Sequence, residues 1–165
     1  VGQEQRLIKS LSPDDQVALK TGGGWGLAKS AELNGLPGPL HLLQMSDEIG
    51  LSGAQQQAIQ DIYDAMKAEA IDLGLRMIEL ESELDDAFAS RQVDEASLRQ
   101  RVDEIARTRG ALRYVHLAAH LKTPDILSET QMQQYYELRG YADDPCARVP
   151  EGHDAEMWRR HNGCE

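Results

Sequence analysis

Aromatic residues are scarce in this chain of 165 residues: two Trp, five Tyr and one Phe. β-Branched residues are scattered too, so the runs that build strands are missing and no sheet is expected. Cations are outnumbered, with 17 Lys and Arg against 28 Asp and Glu and a net charge of −11. Phosphate binding needs clustered Lys and Arg, so no nucleic-acid partner is expected, and an anionic membrane surface is disfavoured. No run of about 18 apolar residues is available to span a bilayer, and no signal-peptide pattern is present. The chain opens at Val1 rather than Met, so the removal of a signal or an N-terminal anchor is an open expectation; membrane attachment is expected only through such an anchor. Catalytic signatures are also missing. There is no Ser-His-Asp set, activated Cys, phosphate loop or Rossmann fingerprint, and Gly22-Gly23-Gly24 follows a polar helix rather than a strand. The expectation is a protein that is not an enzyme.

Cysteine is confined to Cys146 and Cys164, which would close a loop of roughly 19 residues. A disulfide over such a loop is worth about 3 kcal/mol and fits an exported, oxidising setting. Two buried thiols or a thiolate metal pair are the alternatives.

Ala, Leu, Glu, Gln and Arg dominate, and Leu40 to Gly140 holds almost no helix breaker beyond Pro124. An all-α fold is therefore expected. Residues 1–38 read as a wrap of short helices, one opened by Ser12-Pro13-Asp14-Asp15 and a second over Trp25 to Leu33. Pro37-Gly38-Pro39 starts a further helix carrying His41 to Ile49, with Gly50 as its stop. From Ser52 to about Ser90 apolar residues recur at three- and four-residue steps, from Ile59, Ile62 and Met66 to Leu80, Leu84 and Phe88. Asp94 with Ser97 opens a second long helix whose stripe includes Leu98, Val102, Ile105, Leu112 and His116, and Thr123-Pro124 ends it. The two must form an antiparallel hairpin turning at 90–94, within a hairpin domain spanning 39–140. A last core helix covers Ser128 to Arg139, and 141–165 is a Cys- and His-containing tail. Helices this long bury little against a single partner, so a homodimer is expected, a monomeric three- or four-helix bundle being the alternative.

Leu51-Ser52-Gly53-Ala54-Gln55 and Leu127-Ser128-Glu129-Thr130-Gln131 share one pattern. In each, Ser is the N-cap, the preceding Leu the hydrophobic residue before it, and Gln lies in the first turn. One such segment is a commonplace helix start. Two, placed before the first hairpin helix and after the second, meet at one end of the molecule. In this arrangement the chain resembles the LTxxQ-motif family of periplasmic stress and metal-response proteins, which includes Spy-, CpxP-, ZraP- and CnrX-like members, with Ser replacing Thr in both motifs. The resemblance covers about 40–140. It implies a periplasmic protein that senses or buffers a transition metal, with an envelope sensor or signalling protein as a possible partner. The alternative it implies is a Spy- or CpxP-like ATP-independent chaperone or stress-signalling modulator, although no basic stripe for anionic clients is found.

His41 and Met45 lie four residues apart, as do His116 and His120. That spacing puts both members of a pair on one helix face, the geometry of two ligands on one metal. His116 and His120 fall on the apolar stripe and should point inward. In the CnrX-like branch a His-x-x-x-His pair, a Glu and a His-x-x-x-Met pair hold the metal; here the pairs resemble that layout with Met and second His exchanged. Counting from the first motif puts Tyr63 where that Glu would be. Of the nearby carboxylates, Glu48 is preferred because it shares a face with His41 and Met45; Glu69 is weaker, and Asp64 points away. Copper suits His with Met, whereas zinc, nickel or cobalt suit imidazole with carboxylate. The bland alternative is hydrogen-bonded core histidines with Met45 as ordinary filling. His153, Met157 and His161 form a second, weaker set in the tail, for which a disulfide-stapled cap without metal is the favoured account.

Overall fold

The computed structural model describes residues 2–141 and 156–157. Among these there is no strand. The helices are α1 (Pro13–Lys20), α2 (Lys29–Glu32), α3 (Pro39–Gln44), α4 (Ser46–Ile49), α5 (Gly53–Ala89), α6 (Glu95–Lys122) and α7 (Glu129–Leu138), with 3-10 turns at Gln3–Gln5 and Pro124–Ile126.

The hairpin is α5 and α6, of 37 and 28 residues; at 1.5 Å per residue the longer spans about 55 Å. Its boundaries follow the local chemistry of the sequence. Ser52 caps α5 in a reciprocal box with Gln55, and Asp94 caps α6 in the same way with Ser97. The chain reverses through Arg91, held at φ 55.

The paired motifs close on one another. Ser128 and Gln131 form the box of α7, and the two glutamine side chains clasp across the interface. Gln55 Nε2 donates to Gln131 Oε1 at 2.8 Å, and Gln131 Nε2 to Gln55 Oε1 at 3.1 Å. The Gln55 amide also reaches Ile126 O and the Gln131 amide Gly50 O. Each glutamine thus satisfies its own helix start and the loop before the other helix.

Two apolar clusters flank this arrangement. One joins Ile8, Leu11, Leu19 and Leu27 of the N-terminal segment to Met77 and Leu112 of the hairpin, so residues before 39 share its core. Gly74 permits the closest approach: a Cβ there would stand 2.2 Å from Leu19 O. The second cluster packs Leu42, Ile49, Leu51, Ile59 and Tyr135 around the motif end.

Three elements depart from the expectation. The helix expected over Trp25 to Leu33 is only α2, because Trp25 (φ 45) and Gly26 (φ 70) take left-handed angles that a helix cannot continue. Trp25 is anchored instead by its Nε1 to Asp15 Oδ1 at 2.8 Å and by the Arg109 guanidinium over its ring. The helix expected from Pro39 to Ile49 breaks at Met45 (φ −111, ψ 23) into α3 and α4. Phe88 and Val102, expected on the buried stripe, are 53% and 46% exposed.

Candidate functional site

The site is built by a loop that returns the chain on itself. After α2, Gly35 (φ 98) and Leu36-Pro37-Gly38 reverse the direction. Gly35 has no room for a side chain, since a Cβ would lie 2.6 Å from Tyr136 Oη. The end of α6 holds the loop: Thr123, fully buried, donates its hydroxyl to Pro37 O at 2.7 Å.

Glu32, at the end of α2, is thereby carried into the interior, where it is only 7% exposed. Gly38 N–H donates to its Oε2 at 3.1 Å, and the Tyr135 hydroxyl makes a short hydrogen bond to Oε1. Arg139 Nε stands 3.3 Å from Oε1, His41 Nδ1 3.5 Å from Oε1, and His120 Nδ1 3.8 Å from Oε2. One buried carboxylate therefore joins α2, α3, α6 and α7. Burial, and then the hydrogen bond to this carboxylate and its charge, push the Tyr135 hydroxyl well above its ordinary value.

His116 and His120 are buried, 3% and 7% exposed, as the apolar stripe implied. His120 Nδ1 lies 2.7 Å from Leu36 O. A carbonyl only accepts, so Nδ1 carries a proton, and Nε2 is the ring nitrogen left for another partner. The ring lies directly under Gly38, where any Cβ would meet Nε2 at 3.0 Å. His116 Nε2 is buried without a hydrogen-bond partner. Burial, and secondarily the neighbouring His120, lowers the pKa of His116 below its ordinary 6.5. His41 is lowered as well, by burial and then by the Arg139 cation, with Glu32 opposing. Both groups therefore contribute stability that is complete above about pH 6.5 and is lost as pH falls through their lowered values, because the unfolded chain takes up protons first.

All three histidines line one cavity of ≈ 680 Å³. It is bounded by the 21–26 loop, α2 and the start of α3, by Tyr63, Met66 and Lys67 of α5, and by Arg139 and Tyr141. Tyr63 and Lys67 of α5 and His116 and His120 of α6 thus line the same cavity.

The remaining candidates lie elsewhere. Met45 packs against the apolar cluster of Leu42 and Ile49, and Glu48 is exposed on α4. Met45 N–H still donates to His41 O at 3.1 Å, whereas Glu48 follows the break between α3 and α4. Glu69 and Asp64 are exposed on α5. Met157 is 72% exposed, while His153, His161, Cys146 and Cys164 lie outside the described residues. Sequence reasoning missed Glu32 and Met66. Met66 was read as core on the α5 stripe; Glu32 is brought to His41 only by the loop between them, and no periodicity signals that. Among the described residues, no three His, Cys, Asp or Glu side chains stand in a metal-holding arrangement. Glu32 is engaged by Tyr135 and Gly38 instead.

The fold and site define an all-helical hairpin protein whose open end gathers imidazoles around a buried carboxylate. The sequence profile of the heavy-metal resistance family matches residues 25–134, and the chain belongs to that family. No curated protein and no solved structure matches it.

Proposed function

We propose that this protein binds a transition-metal ion in the cavity and so senses or buffers it in the bacterial periplasm, with His41, His116 and His120 as ligands and Glu32 as the adjacent carboxylate. The observation that carries the reading is the state of the rings. His120 gives its Nδ1 proton to a backbone carbonyl, the outer contact that metal-ligating histidines characteristically make, and keeps Nε2 for a ligand. His116 Nε2 is buried with nothing to bond, a costly state that a metal would relieve. The lowered pKa values of His41 and His116 keep these rings neutral at pH 7, as coordination requires.

Imidazole and carboxylate donors suit zinc, nickel, cobalt or copper(II), and the Met66 thioether on the same wall adds a donor for copper(I). Membership of the heavy-metal resistance family and the paired Leu-Ser-x-x-Gln motifs support a role in envelope metal stress. No helix among the described residues is long and apolar enough to cross a membrane, and the protein acts by binding rather than catalysis. Exposed Phe88 and Val102 support a homodimer through the turn half of the hairpin. The same exposed apolar face is what a Spy- or CpxP-like chaperone would use, a role that an aggregation-suppression assay addresses.

Calorimetric titration with zinc, nickel and copper at two pH values tests the metal reading. The expected result is one ion per chain at pH 7.5, with protons released on binding and affinity falling below about pH 6 as protons compete for the imidazoles. Uptake that is equally strong at pH 5 would exclude histidine ligation.

A further inference from the structure

Glu32 and the three histidines leave much of the cavity unexplained. Its ≈ 680 Å³ is roughly twenty times the liquid volume of one water and falls in the range of small-molecule sites. The rest of the lining is of two kinds. Trp25, Leu33, Leu40 and Met66 are apolar, and both leucines are exposed, as apolar side chains in a ligand groove are. Lys29 and Lys67 are cationic, the first exposed and the second half-buried. Glu32 is the only acid on the lining, and Arg139 already faces it at 3.3 Å. Neither lysine ammonium forms an ion pair with a described residue; Lys67 meets the Tyr63 ring, 5.4 Å from its centroid. In a chain of net charge −11, two cations are thus left without a carboxylate on one concave surface.

The wall beside these lysines is fixed in shape. Gly22 (φ 69) rests on α5, where a Cβ would stand 3.0 Å from Lys67 O, so the loop is seated at that lysine. Trp25 is held at φ 45, a left-handed angle that is costly for a bulky residue and persists only where the surroundings enforce it. Here Asp15 accepts its indole N–H, and the Arg109 guanidinium lies 4.5 Å from its ring centroid. The same turn leaves the backbone N–H groups of Gly24, Trp25 and Gly26 without a hydrogen bond to a described residue.

We propose that the cavity binds a small amphipathic organic anion, an aromatic carboxylate, with its carboxylate held by Lys67 and Lys29 and its ring against the apolar lining of Trp25, Leu33, Leu40 and Met66. The apolar lining selects against a bare inorganic anion, which would give up hydration to surfaces that cannot replace it. The lysines select against a neutral aromatic molecule, which offers their ammonium groups no counter-charge. This site is independent of the metal reading, because the lysines and not the imidazoles hold the ligand.

The test is calorimetric titration of the full chain in metal-free buffer with 2-naphthoate and with its neutral analogue 2-naphthamide. One naphthoate per chain is expected, with a Kd of roughly 100 μM for a ligand of about 13 non-hydrogen atoms. The amide should bind at least about fivefold more weakly, a preference within reach of two partly screened lysines. Lys67→Gln should remove most of that preference without changing the amide's affinity, and Lys67→Arg should keep it. Lys122→Gln, which removes the same charge at the end of α6 outside the cavity, should leave both ligands unaffected. Equal affinity for acid and amide, or equal losses in Lys67→Gln and Lys122→Gln, would show a cleft with no anion site and overturn the inference. So would a failure of naphthoate to saturate the chain by about 1 mM. None of these outcomes decides the metal reading, whose own titration is separate.

Discussion

Changing His116 and His120 together to alanine is expected to lower the affinity for zinc, nickel or copper by at least about two orders of magnitude, since loss of an outer-shell partner alone costs roughly 10- to 100-fold. Helicity should persist. Both residues lie within α6, whose N-terminal box at Asp94 and Ser97 is far from them in the chain, and alanine is the best helix former. The cavity they leave joins one already present. Calorimetry reads the loss and far-ultraviolet circular dichroism the helix content. A double variant that binds as the parent does would show that these rings are core histidines and nothing more.

The second large effect belongs to Glu32. Glu32→Gln keeps the shape and removes the charge, leaving Arg139 without its ion partner and giving Tyr135 and Gly38 a weaker acceptor. Breaking a fully buried pair costs about 3–5 kcal/mol. Arg139 is 29% exposed in its side chain, so screening reduces the expectation to about 2–3 kcal/mol. In thermal unfolding of a chain this size that is a fall of roughly 5–10 °C. Arg139→Gln should reproduce part of the loss, and the double variant should cost less than the sum of the two, because the residues share one interaction. Additive losses would mean that the carboxylate and the guanidinium act independently.

What the sequence made legible is what local chemistry determines. Ser52, Asp94 and Ser128 each declare a helix start through a capping box four residues long, and the inward direction of His116 and His120 follows from a 3.6-residue period carried along α6. The clasp between Gln55 and Gln131 extends that logic across the molecule: two ordinary helix starts become one joint because the hairpin returns the chain to the same end. Legibility ends where tertiary geometry takes over. The separation of Glu48 from His41 depends on one residue, Met45, leaving helical angles, and the approach of Glu32 depends on the Asn34–Pro39 reversal and its anchoring by Thr123. Phe88 and Val102 obey the period yet remain exposed, because a period states which face is apolar and not whether anything covers it.

Elemental analysis of the full chain purified without chelator at pH 7.5 tests the central claim most directly. The account predicts close to one equivalent of zinc, nickel, cobalt or copper per chain, stripped by dialysis at pH 5 as the imidazoles take up protons. A parent protein that carries no transition metal, and acquires none from equimolar metal at pH 7.5, would contradict it.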